Sequence, residues 1–378
     1  MMSKSRIGLF EFYTSLFSTK DGPRKFSLKR AIKLFFLLPL FEVLRVTNRL
    51  FLALDNIIFP SFSSIKIEKP VMIVSMPRCG TTYLHHTLAN HDETFTTMKL
   101  WELIFAPSII QRKIWLSLAW IDKTLLLGIG ASIGLSIVRV FTNDINKHHV
   151  MELSAPEEDE ISMIWYRSTA MLIILLSDAP AIKRFLDFNS LSEKEQDEWM
   201  TTYKRLIQRH LYCMDPKGER RFLSKNPFFM TKSKALKKHF PDAQVISNIR
   251  NPLDSFKSSV SNTIKLIGTT GTTSDETKLI NELIGYFTLW QNAGRSEVPV
   301  NFKGQHINVL FPELIKNNNE KCNDLAQFLG IKEPLRWPKE GGKKHATHAK
   351  PITFSKQALD RIESEFPELI ILNSVKTK

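Results

Sequence analysis

An apolar run that stops at a loop and then changes to a helical period stands out towards the end of the first quarter of the chain. Residues 71–74 are V-M-I-V, a short and partly β-branched run that is typical of a buried parallel strand. Pro77 and Gly80 interrupt that run, and a period typical of a helix opens at Thr81. The pattern predicts a strand, a tight loop and a helix in direct succession.

The same succession recurs far downstream. Residues 244–249 form another apolar run, Arg250 stands at its end, and Pro252 occupies the position at which a helix takes its first residue. Residues 306–310 are a third strand candidate. Repeated strand–loop–helix units predict an α/β fold in which helices cover both faces of a parallel sheet.

The first 65 residues differ in character from the rest of the chain. Residues 31–41 and 42–59 are strongly apolar with basic residues interspersed. This pattern predicts an amphipathic helical hairpin or a bent helix that is competent to lie on a membrane. Lys33, Pro39 and Glu42 argue against a membrane-spanning helix, and no small-residue site for signal-peptide cleavage follows the apolar run.

A second apolar stretch covers residues 114–141. Asp122 and Lys123 divide it and leave residues 124–138 uncharged, which is short of a comfortable membrane crossing. Such a stretch is more often a buried helix than a membrane contact. Together with the basic N-terminus it leaves two alternatives open, namely peripheral attachment to a membrane and a hydrophobic acceptor.

Composition fits a folded protein with anionic partners. The chain has 378 residues, of which 43% are hydrophobic and 24% charged, and its formal net charge is +14. That charge favours a nucleotide, an acidic small molecule, a phospholipid surface or nucleic acid. Zinc-finger spacing and RNA-binding signatures are absent from the sequence, so nucleic acid is not expected as a partner.

The cysteines indicate a reducing compartment. Cys79, Cys213 and Cys322 are odd in number and widely spaced, unlike a disulfide framework, and no N-x-[ST] acceptor occurs in the sequence. We therefore expect a cytoplasmic protein, peripheral on the membrane if it is attached at all. No His or Cys cluster has the spacing of metal ligands, so no metal is expected.

The first strand–loop–helix unit is suited to bind an anion. Backbone N–H groups at the start of the helix point at one spot, Arg78 adds a permanent cation, and Thr81 and Thr82 add hydroxyls. The usual nucleotide loop, G-x-x-x-x-G-K-[ST], does not fit, because Ser75 replaces its first glycine and Thr81 its lysine. A nucleotide kinase or NTPase is therefore disfavoured.

What this loop resembles is the 5′-phosphosulfate loop of sulfotransferases that use 3′-phosphoadenosine 5′-phosphosulfate (PAPS). The resemblance rests on Pro77, Arg78, Cys79, Gly80, Thr81 and Thr82. The second unit is similar to the family's 3′-phosphate site, where an arginine ends a strand and a serine follows eight residues later; here these are Arg250 and Ser258. The resemblance implies a P-loop-like three-layer fold and binding of PAPS by these eight residues.

The same resemblance supplies candidates for the chemistry. Residues 223–227, L-S-K-N-P, are similar to an L-x-K-S-P turn that relatives place near the donor, which makes Lys225 a candidate beside Arg78. Residues 148–160 resemble an acidic segment of the bacterial-type branch and hold the densest group of candidate bases. We assign the base to Glu158 or His149.

Glu157 and Asp159 are further candidate bases, ranked below Glu158 and His149. For the acidic residues the alternative is a solvated helix start, and for Lys225 it is a surface lysine.

The expected activity is transfer of the sulfuryl group of PAPS to a hydroxyl or amine, which yields 3′,5′-adenosine bisphosphate. The acceptor is a small molecule, a lipid or a glycan. The alternatives are a catalytically silent adaptor at a membrane surface and a P-loop nucleotide kinase or NTPase. The predicted organisation is a helical extension over residues 1–65, a catalytic domain over 66–350 and a C-terminal helix and tail over 351–378.

Overall fold

The computed structural model describes residues 5–17, 24–25, 27–125, 152–176, 180–269, 273–315 and 319–336, together with residues 356, 360 and 364. The strands in these ranges are β1 (Arg24–Lys25), β2 (Val71–Ile73), β3 (Phe95–Thr96), β4 (Arg221–Lys225), β5 (Gln244–Ile249), β6 (Thr273–Ser274) and β7 (His306–Leu310). Five of them form one parallel sheet in the order β3-β4-β2-β5-β7, and β1 pairs with β6 in a separate antiparallel ribbon. The sequence-based prediction of an α/β fold with a parallel sheet is confirmed.

Helices surround this sheet. In chain order they are α1 (Leu9–Phe17), α2 (Leu28–Ile58), α3 (Thr81–Ala89), α4 (Leu100–Ile104), α5 (Ile109–Leu125), α6 (Pro180–Leu186), α7 (Glu193–Met214), α8 (Ser233–His239), α9 (Pro252–Thr269), α10 (Glu276–Asn292), α11 (Val298–Asn301), α12 (Phe311–Ile315) and α13 (Asn319–Leu329). Short 3-10 helices cover Pro60–Ser64, Asp159–Tyr166, Ala170–Ile174, Phe188–Ser190 and Met230–Lys232, and a π-helical turn covers Ala293–Glu297. The helices α3 and α9 begin at Thr81 and Pro252, as the sequence predicts.

The two faces of the sheet bury two separate cores because side chains alternate along a strand. On β2, Val71 and Ile73 pack into one core with residues of α3, α12 and α13. Met72 and Val74 pack into the other, which also holds the apolar faces of α7, α9 and α10. Helices therefore cover both faces of the sheet, which is the three-layer arrangement.

The register of the sheet places three strand ends at one edge. Val71 pairs with Leu223 on β4 and with Gln244 on β5, both in parallel orientation. The carboxyl ends of β4, β2 and β5 are therefore neighbours, and the loops after them meet there. In open α/β sheets, ligands bind at this edge.

The N-terminal segment joins the larger of the two cores. Ile7, Phe12, Leu34 and Leu52 belong to the same buried cluster as Met72 of the central strand. The 31-residue helix α2 is continuous through Pro39, so the alternative of a helical hairpin is wrong. No helix in the described ranges has the length and apolar content needed to cross a membrane. The domain boundaries at residues 65/66 and 350/351 stay a prediction.

Candidate functional site

The loop between β2 and α3 has an unusual backbone. Arg78 has φ of 66° and Gly80 has φ of 81°, both in the left-handed region. That conformation is uncommon for a residue with a Cβ and is concentrated at functional sites. Gly80 has a second reason to be glycine, because a Cβ there would overlap the ring of Phe311, which follows β7. The loop is thus held in a strained form beneath an aromatic side chain.

Residues of β5 hold this loop in place from the neighbouring strand. The amide nitrogen of Asn248 donates to Ser75 Oγ at 2.6 Å, and its Nδ2 donates to the carbonyl oxygen of Cys79 at 2.7 Å. Ser247 Oγ donates to the carbonyl oxygen of Val74 at 3.0 Å. Neither Asn248 nor Ser247 is among the site residues predicted from the sequence. Their signal is the adjacent polar pair Ser247-Asn248 within the apolar run of β5.

Three predicted anion-binding residues converge above these strand ends. Arg78 Nε donates to Ser258 Oγ at 3.0 Å, although the two residues are 180 positions apart. Arg250 Nη1 donates to the carbonyl oxygen of Arg78 at 3.1 Å, and its guanidinium lies 5.6 Å from the centre of the Phe311 ring. The two strand–loop–helix units therefore form one cluster with two permanent cations.

The charges of this cluster act on one another. Arg78 is exposed, yet desolvation of its guanidinium lowers its pKa, the nearby charge of Arg250 lowers it further, and Glu158 opposes both. Arginine stays protonated under such shifts. Two like charges at close range favour an anion between them, and the N-terminus of α3 adds to this preference.

The remaining residues of the loop shape it and provide hydrogen-bond donors. Thr81 is buried and Thr82 half-buried in the first turn of α3, and Pro77 is half-buried. Cys79 is buried with its Sγ 3.4 Å from Ser255 Oγ. Burial raises the pKa of the Cys79 thiol, so this cysteine lacks the thiolate character of a reactive one.

A buried ion pair lies at the end of the adjacent strand β4. Lys225 Nζ donates to Glu158 Oε1 at 2.8 Å, and the lysine side chain is 1% exposed whereas that of the glutamate is 21% exposed. Burial alone lowers the pKa of Lys225, but Glu158 and Glu157 outweigh it and the net shift is upward. Lys225 is thus a buried cation next to the loop, since it pairs in register with Ile73. The alternative of a surface lysine is wrong.

The acidic segment around Glu158 is built into the core. It forms a 3-10 helix in which Asp159 and Glu160 are buried, so the alternative of a solvated helix start is wrong for these two. Tyr203 OH donates to Asp159 Oδ2 at 2.9 Å, and Asn226 Nδ2 donates to its other oxygen. Glu160 accepts from Lys232 Nζ at 3.1 Å.

Burial raises the pKa of Asp159 to about 7, against the opposing effect of these hydrogen bonds. Asp159 thus belongs to a hydrogen-bonded network below the site. Glu157 is also buried, whereas the Glu158 side chain is 21% exposed and its charge acts on Arg78. His148 and His149 lie outside the described residues. Among the described residues, no three His, Cys, Asp or Glu side chains are grouped so that they could hold a metal ion.

Comparison with known proteins identifies the class of enzyme. Residues 143–334, just over half of the 378, match the model of the sulfotransferase family. The chain belongs to this family and is a sulfotransferase, as its loops predict. The matched residues include Glu158, Lys225, Arg250 and Ser258, and the loop at residues 77–82 precedes them. No curated protein matches the chain.

Two bacterial crystal structures have the same fold. The sulfotransferase STF9 from Mycobacterium avium is 15% identical with a TM-score of 0.69, over 98% of this chain and 92% of that one. The sulfotransferase STF1 from Mycobacterium tuberculosis H37Rv is 16% identical with a TM-score of 0.64, over 94% of this chain and 92% of that one. At such low identity the likeness establishes the fold, and the assignment of site residues depends on the geometry described above.

Proposed function

We propose that this sulfotransferase uses PAPS as its donor and transfers the sulfuryl group to a hydroxyl or amine, leaving 3′,5′-adenosine bisphosphate. The observation that carries the proposal is the convergence of Arg78, Arg250 and Ser258 at the carboxyl ends of β2 and β5. Two arginines, a hydroxyl and the first turn of a helix fit a ligand with two separate anionic groups. A lysine after Gly80, which ATP and GTP hydrolysis would require, is replaced by Thr81.

Each side of the cluster receives one group of the donor in this proposal. Arg78 and the backbone N–H groups from Gly80 to Thr82 bind the 5′-phosphosulfate, with Pro77 and Cys79 shaping the loop. Arg250 and Ser258 bind the 3′-phosphate, because a guanidinium fork and a hydroxyl suit its oxygens. Ser258 Oγ already accepts from Arg78, so the hydroxyl proton is directed away from that arginine and is available to a phosphate oxygen.

The ion pair at the end of β4 supplies the protein's part in the chemistry. Glu158 is the proposed base, since its carboxylate is partly exposed and lies close enough to Arg78 for the two charges to act on each other. Lys225 fixes Glu158 Oε1 and provides a buried positive charge, which with Arg78 stabilises negative charge that develops on the donor. His149 stays the second candidate for the base.

The acceptor class and the cellular setting extend the proposal. A small molecule, a lipid or a glycan with a free hydroxyl or amine would present the proton that Glu158 accepts. Three free cysteines, Cys79, Cys213 and Cys322, fit the reducing cytoplasm. We also propose peripheral contact with a membrane, because α2 and α5 expose large apolar side chains.

Calorimetric titration of the full chain tests the donor assignment. We expect 3′,5′-adenosine bisphosphate to bind with micromolar affinity in the absence of metal, and AMP, which lacks the 3′-phosphate, to bind at least about tenfold more weakly. Equal affinity for the two nucleotides in folded protein would contradict the proposed 3′-phosphate site. A response that requires both ATP and Mg²⁺ would instead favour a nucleotide kinase.

A further inference from the structure

The solvent-facing side of α2 is apolar along most of its length. Large side chains that are 53% to 77% exposed recur at spacings of three, four or seven residues, which places them on one stripe of the helix. They include Ile32, Phe36, Val43, Val46, Leu50 and Ile57. A helix at the surface of a globular protein normally shows polar residues there, so this stripe is the reverse of the usual arrangement.

The inward side of the same helix buries polar residues beside its core leucines, Leu34 and Leu52. Three of the five buried residues of α2 are Arg30, Asn48 and Asp55. Arg30 Nη2 donates to the carbonyl oxygens of Leu16 and Leu175, at 3.2 and 2.5 Å. Buried polar groups of this kind must be paired, and these contacts fix which side of α2 faces the body of the protein.

Asp55 of α2 contacts both α5 and α7. Its carboxylate accepts from the backbone amides of Ile109 and Ile110 at the start of α5, at 2.9 and 3.2 Å. It also forms an ion pair with Arg209 of α7 at 2.9 Å. A carboxylate at a helix N-terminus is favourable for the helix dipole, and here it sets the direction in which α5 leaves the body.

Asn48 and Gln111 add a second link between the two helices. Gln111 Nε2 donates to Asn48 Oδ1 at 2.6 Å, and both residues are buried. Beyond its first turn, α5 is exposed and carries Trp115, Leu118 and Trp120, which are 48%, 51% and 65% exposed. These buried polar contacts thus hold α2 and α5 in place. Both helices expose large apolar side chains, two of which are tryptophans.

The charges on these two helices are mainly positive. On α2, Lys29 is exposed and Lys33 and Arg49 are half-buried, whereas Arg45 pairs with Glu42 at 2.6 Å, and Arg30 and Asp55 are buried. On α5, Lys113 and Lys123 are exposed and the acidic Asp122 is half-buried. Apolar side chains with basic residues beside them complement a surface of hydrocarbon and anionic headgroups.

We propose that α2 and α5 form a docking platform that lies on an anionic phospholipid bilayer, with the apolar stripe of α2 and the tryptophans of α5 inserted among the headgroups. Tryptophan is favoured at that depth because its ring is amphipathic. This platform specifies the membrane contact of the proposed function and does not depend on the donor assignment.

Sedimentation with vesicles tests the platform on the full chain. We expect binding to vesicles of phosphatidylcholine mixed with phosphatidylglycerol, and weaker binding to phosphatidylcholine alone or at high salt. Leu50→Glu, at a position 56% exposed on the stripe, should weaken vesicle binding about tenfold or more. The matched control is Val300→Glu on α11, which adds the same charge at a position 75% exposed and should bind as the unaltered protein does.

Fluorescence gives an independent measure of the same contact. We expect the tryptophan emission to shift to the blue with anionic vesicles, and Trp120→Phe to lose a large part of the shift. Absence of vesicle binding, or equal binding by Leu50→Glu and Val300→Glu, would overturn the proposal. The proposal would also be overturned, in favour of self-association, if the protein formed dimers that Leu50→Glu dissociates and did not bind vesicles. Affinity for 3′,5′-adenosine bisphosphate should not change in Leu50→Glu, so a failed donor assignment and a failed platform are distinguishable.

Discussion

Arg78 donates a hydrogen bond from Nε to Ser258 Oγ at 3.0 Å, across 180 positions of sequence. The contact exists because β2 and β5 are adjacent and parallel, so that the loop after β2 and the helix after β5 begin at the same edge of the sheet. It links the residue proposed for the 5′-phosphosulfate with a residue proposed for the 3′-phosphate. The side chains that bind the two anionic groups of one nucleotide would thus already be in contact with each other.

Ser258→Ala tests whether the hydroxyl of Ser258 binds the 3′-phosphate. We expect the affinity for 3′,5′-adenosine bisphosphate to fall about tenfold, because a hydrogen bond to a charged group is lost, whereas AMP should bind as before. Calorimetry measures both. The matched control is Ser259→Ala, since Ser259 is the next residue on α9 and its buried hydroxyl has no partner among the described residues. Equal losses in the two variants would argue against a specific role for Ser258.

Arg250→Ala should have a larger effect on the same equilibrium. Removing a guanidinium from the phosphate cluster is expected to weaken binding of 3′,5′-adenosine bisphosphate roughly tenfold or more. Arg205→Ala, which removes an exposed arginine from α7, serves as the control for net charge. Unchanged affinity in folded Arg250→Ala would remove this residue from the donor site.

Glu158→Gln tests the proposed base. We expect kcat, measured with an acceptor found by screening with PAPS, to fall by roughly 10²–10⁴-fold while binding of 3′,5′-adenosine bisphosphate is retained. Glutamine keeps an oxygen that can accept from Lys225, so the buried lysine is not left without a partner. Glu152→Gln, at an exposed position of the same segment, is the control. A normal kcat for Glu158→Gln and a low one for His149→Ala would assign the base to the histidine.

The strands and the two anion loops could be predicted because their signals are local. Buried parallel strands are continuous apolar runs, and the residues that interrupt them, such as Gly80 and Pro252, mark where a helix begins. The ion pair of Lys225 with Glu158 could not be predicted, since it depends on how the acidic segment packs against the end of β4, where Asn226 bonds to Asp159 and Glu160. The hydrogen bond from Asn248 to the loop after β2 could not be predicted either, because it depends on the adjacency of β2 and β5.

The orientation of α2 could not be predicted from the pattern of apolar and polar residues alone. Its period separates an apolar from a polar side, and an apolar stripe is normally assigned to the core. The structure places Leu50 outward and Asp55 inward because Asp55 has partners on α5 and α7. Those partners are distant in sequence, so only the tertiary structure shows which side is buried.

Gly80→Ala should destabilise the protein for two separable reasons. A left-handed backbone costs an alanine about 1–2 kcal/mol, and the new Cβ would also overlap the ring of Phe311. Gly304→Ala is the matched control, because Gly304 has φ of 76° and no atom lies within 4 Å of its would-be Cβ. Denaturant unfolding should show a larger loss of unfolding free energy for Gly80→Ala than for Gly304→Ala. Equal losses would mean that the contact with Phe311 imposes no constraint on the loop.

Asp159 should make the stability of the protein depend on pH. Burial raises its pKa from 3.8 to about 7, so the folded state holds a proton that the unfolded state has released between those values. The resulting stability is fully present below pH 4 and is lost as the pH rises through 7, by up to about 4 kcal/mol.

Asp159→Asn should remove this dependence while it keeps the network. The amide nitrogen of the new residue can donate to Tyr203 OH, which then donates to Ser224 Oγ, 3.0 Å away. Unfolding by denaturant at several pH values between 4 and 8 measures the effect. We expect the unfolding free energy of the unaltered protein to decline more steeply with pH than that of Asp159→Asn. Parallel pH profiles would show that Asp159 is ionised in the folded protein and that its hydrogen bonds from Tyr203 and Asn226 outweigh the cost of burial.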